Sequence, residues 1–236
     1  MNSFLNAVFH PPKSEILPLE AQIKAWKKAN RKMRWGISNP EFGAIGRMPE
    51  LSETDRQDGF SGIILSYGFG DDRQGYSDPV LSGRLAWEYA LKNRRFKTWQ
   101  CEYIDFAEAS YFRLRPEAPP RPKGFYAAKF RDAEKRRNQT VAQFRKRLEA
   151  GDTGCGPEGI QFLTVTHPHF ARLMNQRKIL FMAFADYDVA PYGFNDFFDA
   201  LQMFCSNDTL GLGIGNVDRN YPGFGVPTLR FHTPPE

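Results

Sequence analysis

Hydrophobic positions along this chain change period from segment to segment, and the period predicts the elements. Residues 3–9 alternate weakly and read as a first strand, stopped by Pro11 and Pro12. Over 18–34, Leu19, Ile23, Trp26, Asn30 and Met33 fall on one helical stripe, while Lys24, Lys27, Lys28, Arg31, Lys32 and Arg34 load the rest. Residues 36–59 are rich in Gly, Pro and polar side chains and read as a long loop. Gly62 to Phe69 is a short apolar strand. Asp78 followed by Pro79 marks a helix start: a capping oxygen, then a residue with no amide to satisfy. That helix runs to about Asn93. Lys97 to Phe106 alternates as a strand does.

Arg115 to Gly124 holds four prolines and reads as a linker. Phe125 to Phe130 follows as a strand, then Asp132 to Ala150 as a basic helix or helix pair anchored by Val141, Phe144 and Leu148. Ile160 to Thr166 reads as a strand, His169 to Gln176 as a short helix, Ile179 to Ala185 as a strong strand and Asn195 to Phe204 as a helix. A last strand lies near Val226 to Phe231. This order predicts an α+β chain of two ferredoxin-like units of the split βαβ type, over residues 1–115 and 116–236, the second complete or degenerate. Periodicity leaves a single α/β sheet open as the alternative.

Charge divides the chain unevenly. The net +5 is the sum of +9 over residues 1–150, with 27 basic and 18 acidic side chains, and −4 over residues 151–236, with 5 and 9. Residues 113–147 alone hold twelve Lys/Arg against three Asp/Glu. Five glycines, Gly211, Gly213, Gly215, Gly223 and Gly225, fall within fifteen residues and predict a loop that meets a ligand through its amides. A dense cationic segment together with such a loop points to a phosphate backbone. The alternatives are a solvated charged face and ordinary turns. Cys101, Cys155 and Cys205 form no Cys-x-x-Cys pair, which argues against a thiolate zinc site. An odd cysteine count and an opening segment without a basic n-region fit a reducing cytoplasm. No run of about 18 apolar residues occurs, so no membrane partner is expected.

With these elements placed, the chain resembles the CRISPR-associated endoribonucleases that cut repeat RNA into guide RNAs. Four stretches carry the resemblance: Asn2 to Phe9 leading to a helix; Asp58 to Asp71 followed by the 79–93 helix and a strand ending at Asp105; Tyr126 to Arg131 leading into the Arg-rich segment; and Gln161 to His167 with the C-terminal glycine loop. It is most similar to the type IV and type I-F branches, in which an Arg-rich helix grips the repeat hairpin. The resemblance implies tandem ferredoxin-like, RNA-recognition-like units, structured RNA and other effector subunits as partners, and no metal or other cofactor. The implied reaction is attack of a ribose 2′-hydroxyl on the adjacent phosphate, leaving a cyclic phosphate and a 5′-hydroxyl.

Such a reaction needs a proton acceptor, a proton donor and cations for the crowded phosphorane. Histidine suits the first two roles because it titrates near neutrality. The family's helix histidine has no counterpart here; Lys28, Arg31 and Lys32 stand nearest. His169 is the leading candidate, then His167, then His10, with Lys32 as a cationic candidate. His-Pro-His also reads as a helix start where a ring caps free amides. Lys129, Arg131, Lys135, Arg136, Arg137, Arg145, Lys146 and Arg147, with Gly213, Gly215, Arg219, Gly223 and Gly225 of the glycine loop, are the expected RNA contacts. Tyr126, Tyr192 and Tyr221 are candidates for base stacking. His-x-His with Asp186 and Asp188 is the alternative metal reading. Two other functions stay open: an RNA-holding subunit without cleavage, and an unrelated α/β enzyme acting on a phosphorylated small molecule.

Overall fold

The computed structural model describes residues 16–46, 50–70, 76–102, 104, 106, 112–132, 138–176, 179, 181–190, 197, 199–206, 208–220 and 223–231. The expected strand at 3–9, His10, Lys135, Arg136, Arg137, Tyr192, Tyr221 and His232 lie outside these residues. The described chain is α+β. Its elements run α1 (Leu19–Met33), α2 (Asn39–Gly43), α3 (Glu53–Gln57), β1 (Gly62–Gly68), α4 (Pro79–Asn93), β2 (Lys97–Gln100), β3 (Phe112–Leu114), β4 (Gly124–Arg131), α5 (Val141–Lys146), β5 (Asp152–Gly154) and α6 (Pro157–Gln161). A π-helical turn (Phe162–Thr166), α7 (Pro168–Gln176), β6 (Phe181–Val189), β7 (Asp199–Ser206), β8 (Thr209–Asn216), β9 (Phe224–Gly225) and β10 (Thr228–Phe231) complete it.

One sheet is antiparallel, in the order β1-β4-β10-β5. The other runs β2-β8-β7-β6-β3, with β9 also paired to β6; its β2–β8 and β6–β9 pairs are parallel. A boundary at 115/116 would cut both sheets. Strand β1 from one side pairs with β4 from the other, and β2 and β3 pair with β8 and β6. One buried cluster, including Trp26, Trp87, Phe130, Phe162, Phe184, Tyr187 and Leu212, takes side chains from both sheets and from the helices between them.

Among the described residues, the outer edge of β1 is closed by side chains rather than by a strand. Gln22 on α1 donates from Nε2 to the Ile63 carbonyl at 2.8 Å and accepts from the Leu65 amide at 2.8 Å. Trp26 Nε1 donates to the Leu65 carbonyl at 3.1 Å. Gln161 at the end of α6 repeats the device on Tyr67, accepting from its amide at 3.0 Å and donating to its carbonyl at 2.8 Å. A glutamine amide carries the donor and acceptor of a peptide group, so the two side chains stand in for a neighbouring strand and block edge pairing.

A buried ion network joins the two sheets. The Arg121 guanidinium, in the segment leading into β4, meets Glu158 of α6 at 2.7 Å and Asp186 of β6 at 2.8 Å. It also donates to the carbonyls of Pro119 at 2.6 Å and Gly154 at 3.3 Å. Tyr126 donates to Glu158 at 2.7 Å, the Gly156 amide to Glu158 at 2.9 Å, and the Gly154 amide and Thr153 hydroxyl to Asp186. Arg121, Glu158 and Asp186 are all buried. Burial alone would weaken the guanidinium's hold on its proton; Glu158 and Asp186 override it and raise the pKa. The expected linker is thus a packed segment: its prolines lead the chain to Arg121 at the junction of the sheets.

Several expectations give way to tertiary context. The 160–166 run is helical, continuing α6 into the π-helical turn, closed by the His167 amide donating to the Phe162 carbonyl at 2.7 Å. Its β-branched residues favoured a strand, but burial on every side removes the periodicity that separates the two. Thr164 satisfies its hydroxyl by donating to the Ile160 carbonyl at 2.7 Å. Part of the expected 195–204 helix is strand β7, whose alternation was hidden because Phe204 faces outward among buried Leu201, Met203 and Cys205. The long basic helix is reduced, among the described residues, to α5; the 97–106 strand shortens to β2. The 36–59 loop contains two short helices, α2 and α3, started by capping boxes at Ser38/Glu41 and Ser52/Asp55. The cap at Asp78 forms as expected, its Oδ1 accepting from the Leu81 amide at 3.0 Å.

Replacing Arg121 by Met would leave two buried carboxylates without their common partner. Loss of about 3–5 kcal/mol in urea unfolding is expected, and a loss below about 1 kcal/mol would show that the network does not couple the sheets.

Candidate functional site

Three elements converge beside the π-helical turn: the middle of α1, the end of α4 and the start of α7. They enclose a cavity of about 190 Å³ whose polar lining includes Lys28, Tyr89, Asn93, Arg95, Thr166 and His169. Lys28 and Arg95 are exposed, and His169 is half-buried. Lys32, one turn beyond Lys28, donates from Nζ to the Asn93 Oδ1 at 3.3 Å. No Asp or Glu lines the cavity among the described residues. The pocket therefore offers cationic and neutral donors with one imidazole, a set suited to a phosphodiester and to proton transfer beside it. His169 and Lys28 come together here, with Lys32 on the rim. Asn93 and Arg95 were missed, although the helix expected to end at Asn93 already placed Arg94 and Arg95 at its exit.

His167 does different work. It is fully buried and stacks on Phe162 with ring centroids 4.3 Å apart. Its Nε2 accepts from the Leu17 amide at 2.9 Å, which puts the ring proton on Nδ1, 2.8 Å from the Thr166 hydroxyl. Neither nitrogen is open to a substrate. Burial, reinforced by His169, takes its pKa from the usual 6.5 to about 3. The imidazole caps a free amide ahead of α1 and fixes that helix against the π-helical turn.

Three of the described cations of the basic segment are turned inward. Lys129 pairs with Asp55 at 2.7 Å. Burial would raise the Asp55 carboxyl, but Lys129 and Ser52 hydrogen-bond to it and bring it down to about 2. Arg131 is buried, 3.4 Å from Asp152 and stacked over Phe60. Arg145 donates to the carbonyls of Ala185 and Tyr187 at 2.8 and 3.1 Å and pairs with Asp188 at 2.8 Å. These three side chains are engaged within the fold, each paired with a carboxylate of another element. Lys146 and Arg147 remain exposed, and Val141 and Phe144 are buried as anchors. Lys146 lines a shallow cleft with Arg113, Arg115 and Phe197. Tyr126 donates its hydroxyl to Glu158 inside the protein, so it cannot stack on a base.

The glycine loop is also corrected. Gly211, Gly213 and Gly215 lie inside strand β8, and Gly225 lies in β9. A side chain at 211 would drive into the Phe204 ring, and one at 215 would press on Gln202 at 2.8 Å. These glycines let the side chains of β7 lie flat across β8. Gly223 does turn the chain, with φ of 77°, and Arg219 is exposed. The metal reading loses its ligands: Asp186 is held by Arg121 and Arg115, and Asp188 by Arg113 and Arg145. Among the described residues no group of three or more His, Cys, Asp or Glu could hold a metal ion, and no helix is long and apolar enough to cross a membrane. No protein-family model, curated protein or solved structure matches the chain.

With a histidine pKa of 6.5 unfolded and about 3 folded, the unfolded chain binds the extra proton between those values. The stability associated with a neutral His167 is therefore complete above the upper value and is lost as pH falls through the window, at about 1.4 kcal/mol per pH unit. His167→Gln should flatten the dependence of unfolding free energy on pH by that amount between about pH 4 and 6.5. Asp55, titrating lower, should not obscure the effect; an unchanged slope would mean that His167 is not buried neutral.

Proposed function

We propose that the protein is a metal-independent endoribonuclease that binds and cuts structured repeat RNA at the Lys28–Asn93–Arg95–His169 cavity. The observation that carries this reading is the meeting of one half-buried imidazole with two cations in a pocket that has no carboxylate among its described lining residues. His169 takes the 2′-hydroxyl proton, and Lys28 and Arg95 stabilise the charge that develops on the phosphorane. A cavity of about 190 Å³ fits a phosphate and part of its ribose; it is below the usual range for a whole small-molecule substrate. The reading carries with it the resemblance to CRISPR repeat-processing enzymes: a tandem ferredoxin-like plan, retention of the product guide RNA within an effector complex, and a cytoplasmic setting. A second reading, an RNA-holding subunit that does not cut, is favoured by the lack of a histidine on α1.

The protein mixed with a repeat hairpin in EDTA should yield a 2′,3′-cyclic phosphate. His169→Ala should slow cutting by about 10²–10⁴-fold with hairpin affinity nearly kept, and Lys28→Ala should also lower the cleavage rate. A tight but uncut complex would establish the second reading, and activity restored only by Mg²⁺ or Mn²⁺ would reject this mechanism.

Hairpin affinity should fall steeply with salt. Lys146→Ala and Arg147→Ala should each reduce the log–log slope by about one. An unchanged slope would take the exposed end of α5 out of the interface, while Lys129→Ala and Arg145→Ala should act on stability instead.

A further inference from the structure

The outer face of the larger sheet carries a row of rings. Trp99 on edge strand β2 lies 5.6 Å from Phe204 on β7, Phe204 lies 5.8 Å from Phe181 on β6, and Phe181 lies 6.4 Å from Phe224 on β9. The row goes from buried to open. Phe224 is in the core beneath α5, Phe181 and Phe204 are half-buried, and Trp99 is 48% exposed. The β8 glycines on this face are buried beneath the row: Phe204 lies over Gly211 and Gln202 over Gly215. Over Gly213 the nearest atoms to a Cβ would be those of Gln202 at 3.7 Å and Trp99 at 3.8 Å. The open space lies at the end of the row, over the exposed Trp99 indole.

Charge and continuity indicate what fills it. Residues 93–100 read Asn-Arg-Arg-Phe-Lys-Thr-Trp-Gln and contain no acidic residue. Arg94, Arg95 and Lys97 are exposed, and Lys97 shares the face of Trp99 by the alternation of β2. Asp208, at the turn beside Lys97, is engaged by Arg172 at 3.5 Å. Arg95 lines the cavity of the preceding reading, and the four residues from it to Trp99 span at most about 14 Å. A cationic track thus leads from the cavity to an exposed indole. A π-face is a sequence-tolerant partner for an unpaired base.

We propose that Trp99, with Lys97 beside it on the same face of β2, forms a stacking platform for unpaired RNA nucleotides that flank the segment held in the cavity. This rests on the RNA reading above, but it is tested without cleavage. The protein has four tryptophans, and of these Trp26 and Trp87 are buried, Trp35 is half-buried and Trp99 is exposed. An oligoadenylate of about twelve nucleotides added to the full chain should quench tryptophan emission. Trp99→Ala should abolish the quenching and weaken binding about tenfold or more while the far-ultraviolet circular dichroism stays unchanged, Trp99→Phe should retain most of the affinity, and Lys97→Ala should weaken binding and reduce its salt dependence. If Trp99→Ala and Lys97→Ala bind as the parent does, the platform is rejected, and a repeat hairpin still cut by both variants leaves the nuclease reading standing. If oligoadenylate quenches Trp99 but hairpins are neither bound nor cut, the platform stands and the nuclease reading falls. Loss of self-association on sedimentation of Trp99→Ala, with RNA affinity intact, would overturn the proposal in favour of a protein interface.

Discussion

The Arg121 guanidinium fixes the position of α6, and much of the molecule is hung from that helix. Glu158, one residue into α6, is held by Arg121 and Tyr126. Three residues on, Gln161 closes the edge of β1. The helix then widens into the π-helical turn, His167 catches the amide of Leu17 ahead of α1, and His169 reaches the cavity. One stretch of about a dozen residues therefore sets the register of the first sheet, the seat of α1 and the direction of the half-buried imidazole. A buried charge cluster is a weak source of stability by comparison with apolar packing, but its members accept few alternative arrangements. That selectivity matters where a side chain must face a cavity rather than the core.

This arrangement also accounts for how charge is used. The chain spends many of its cations internally. Arg121, Arg131, Arg145 and Lys129 each neutralise a carboxylate at a place where elements cross. The cations left facing solvent at the cavity are Lys28 and Arg95, with Lys32 at its rim, and on α5 Lys146. Arginine-rich sequence is thus a poor guide to a binding face when the same residues serve as fasteners. Geometry separates the two uses, because a fastener has both its donors and its charge engaged within the protein.

Local signals were readable where the chemistry is local. The Asp78–Pro79 cap, the stripe of α1, strands β1 and β4, and the anchors Val141 and Phe144 all follow from short-range pattern. His-Pro-His does open a helix, α7, but His167 caps an amide outside it, that of Leu17 ahead of α1, and His169 lines the cavity. What sequence could not supply was long-range. Gln161 and Gln22 close a strand far away in the chain, and Arg121 sits in a proline-rich run that reads as a linker until Glu158 and Asp186 are placed beside it. The glycines of β8 look like a ligand loop until Phe204 is laid across them. The buried 160–166 run has no exposed face, so period alone could not make it a helix.

If the protein processes RNA as proposed, the RNA enters the cavity between α1, α4 and α7. Photo-crosslinking of a repeat hairpin carrying 4-thiouridine, followed by mapping of the modified peptides, tests it directly. The account predicts cross-links within residues 25–34, 93–99 and 164–169. Cross-links confined to residues 138–147, with none at the cavity, would contradict it.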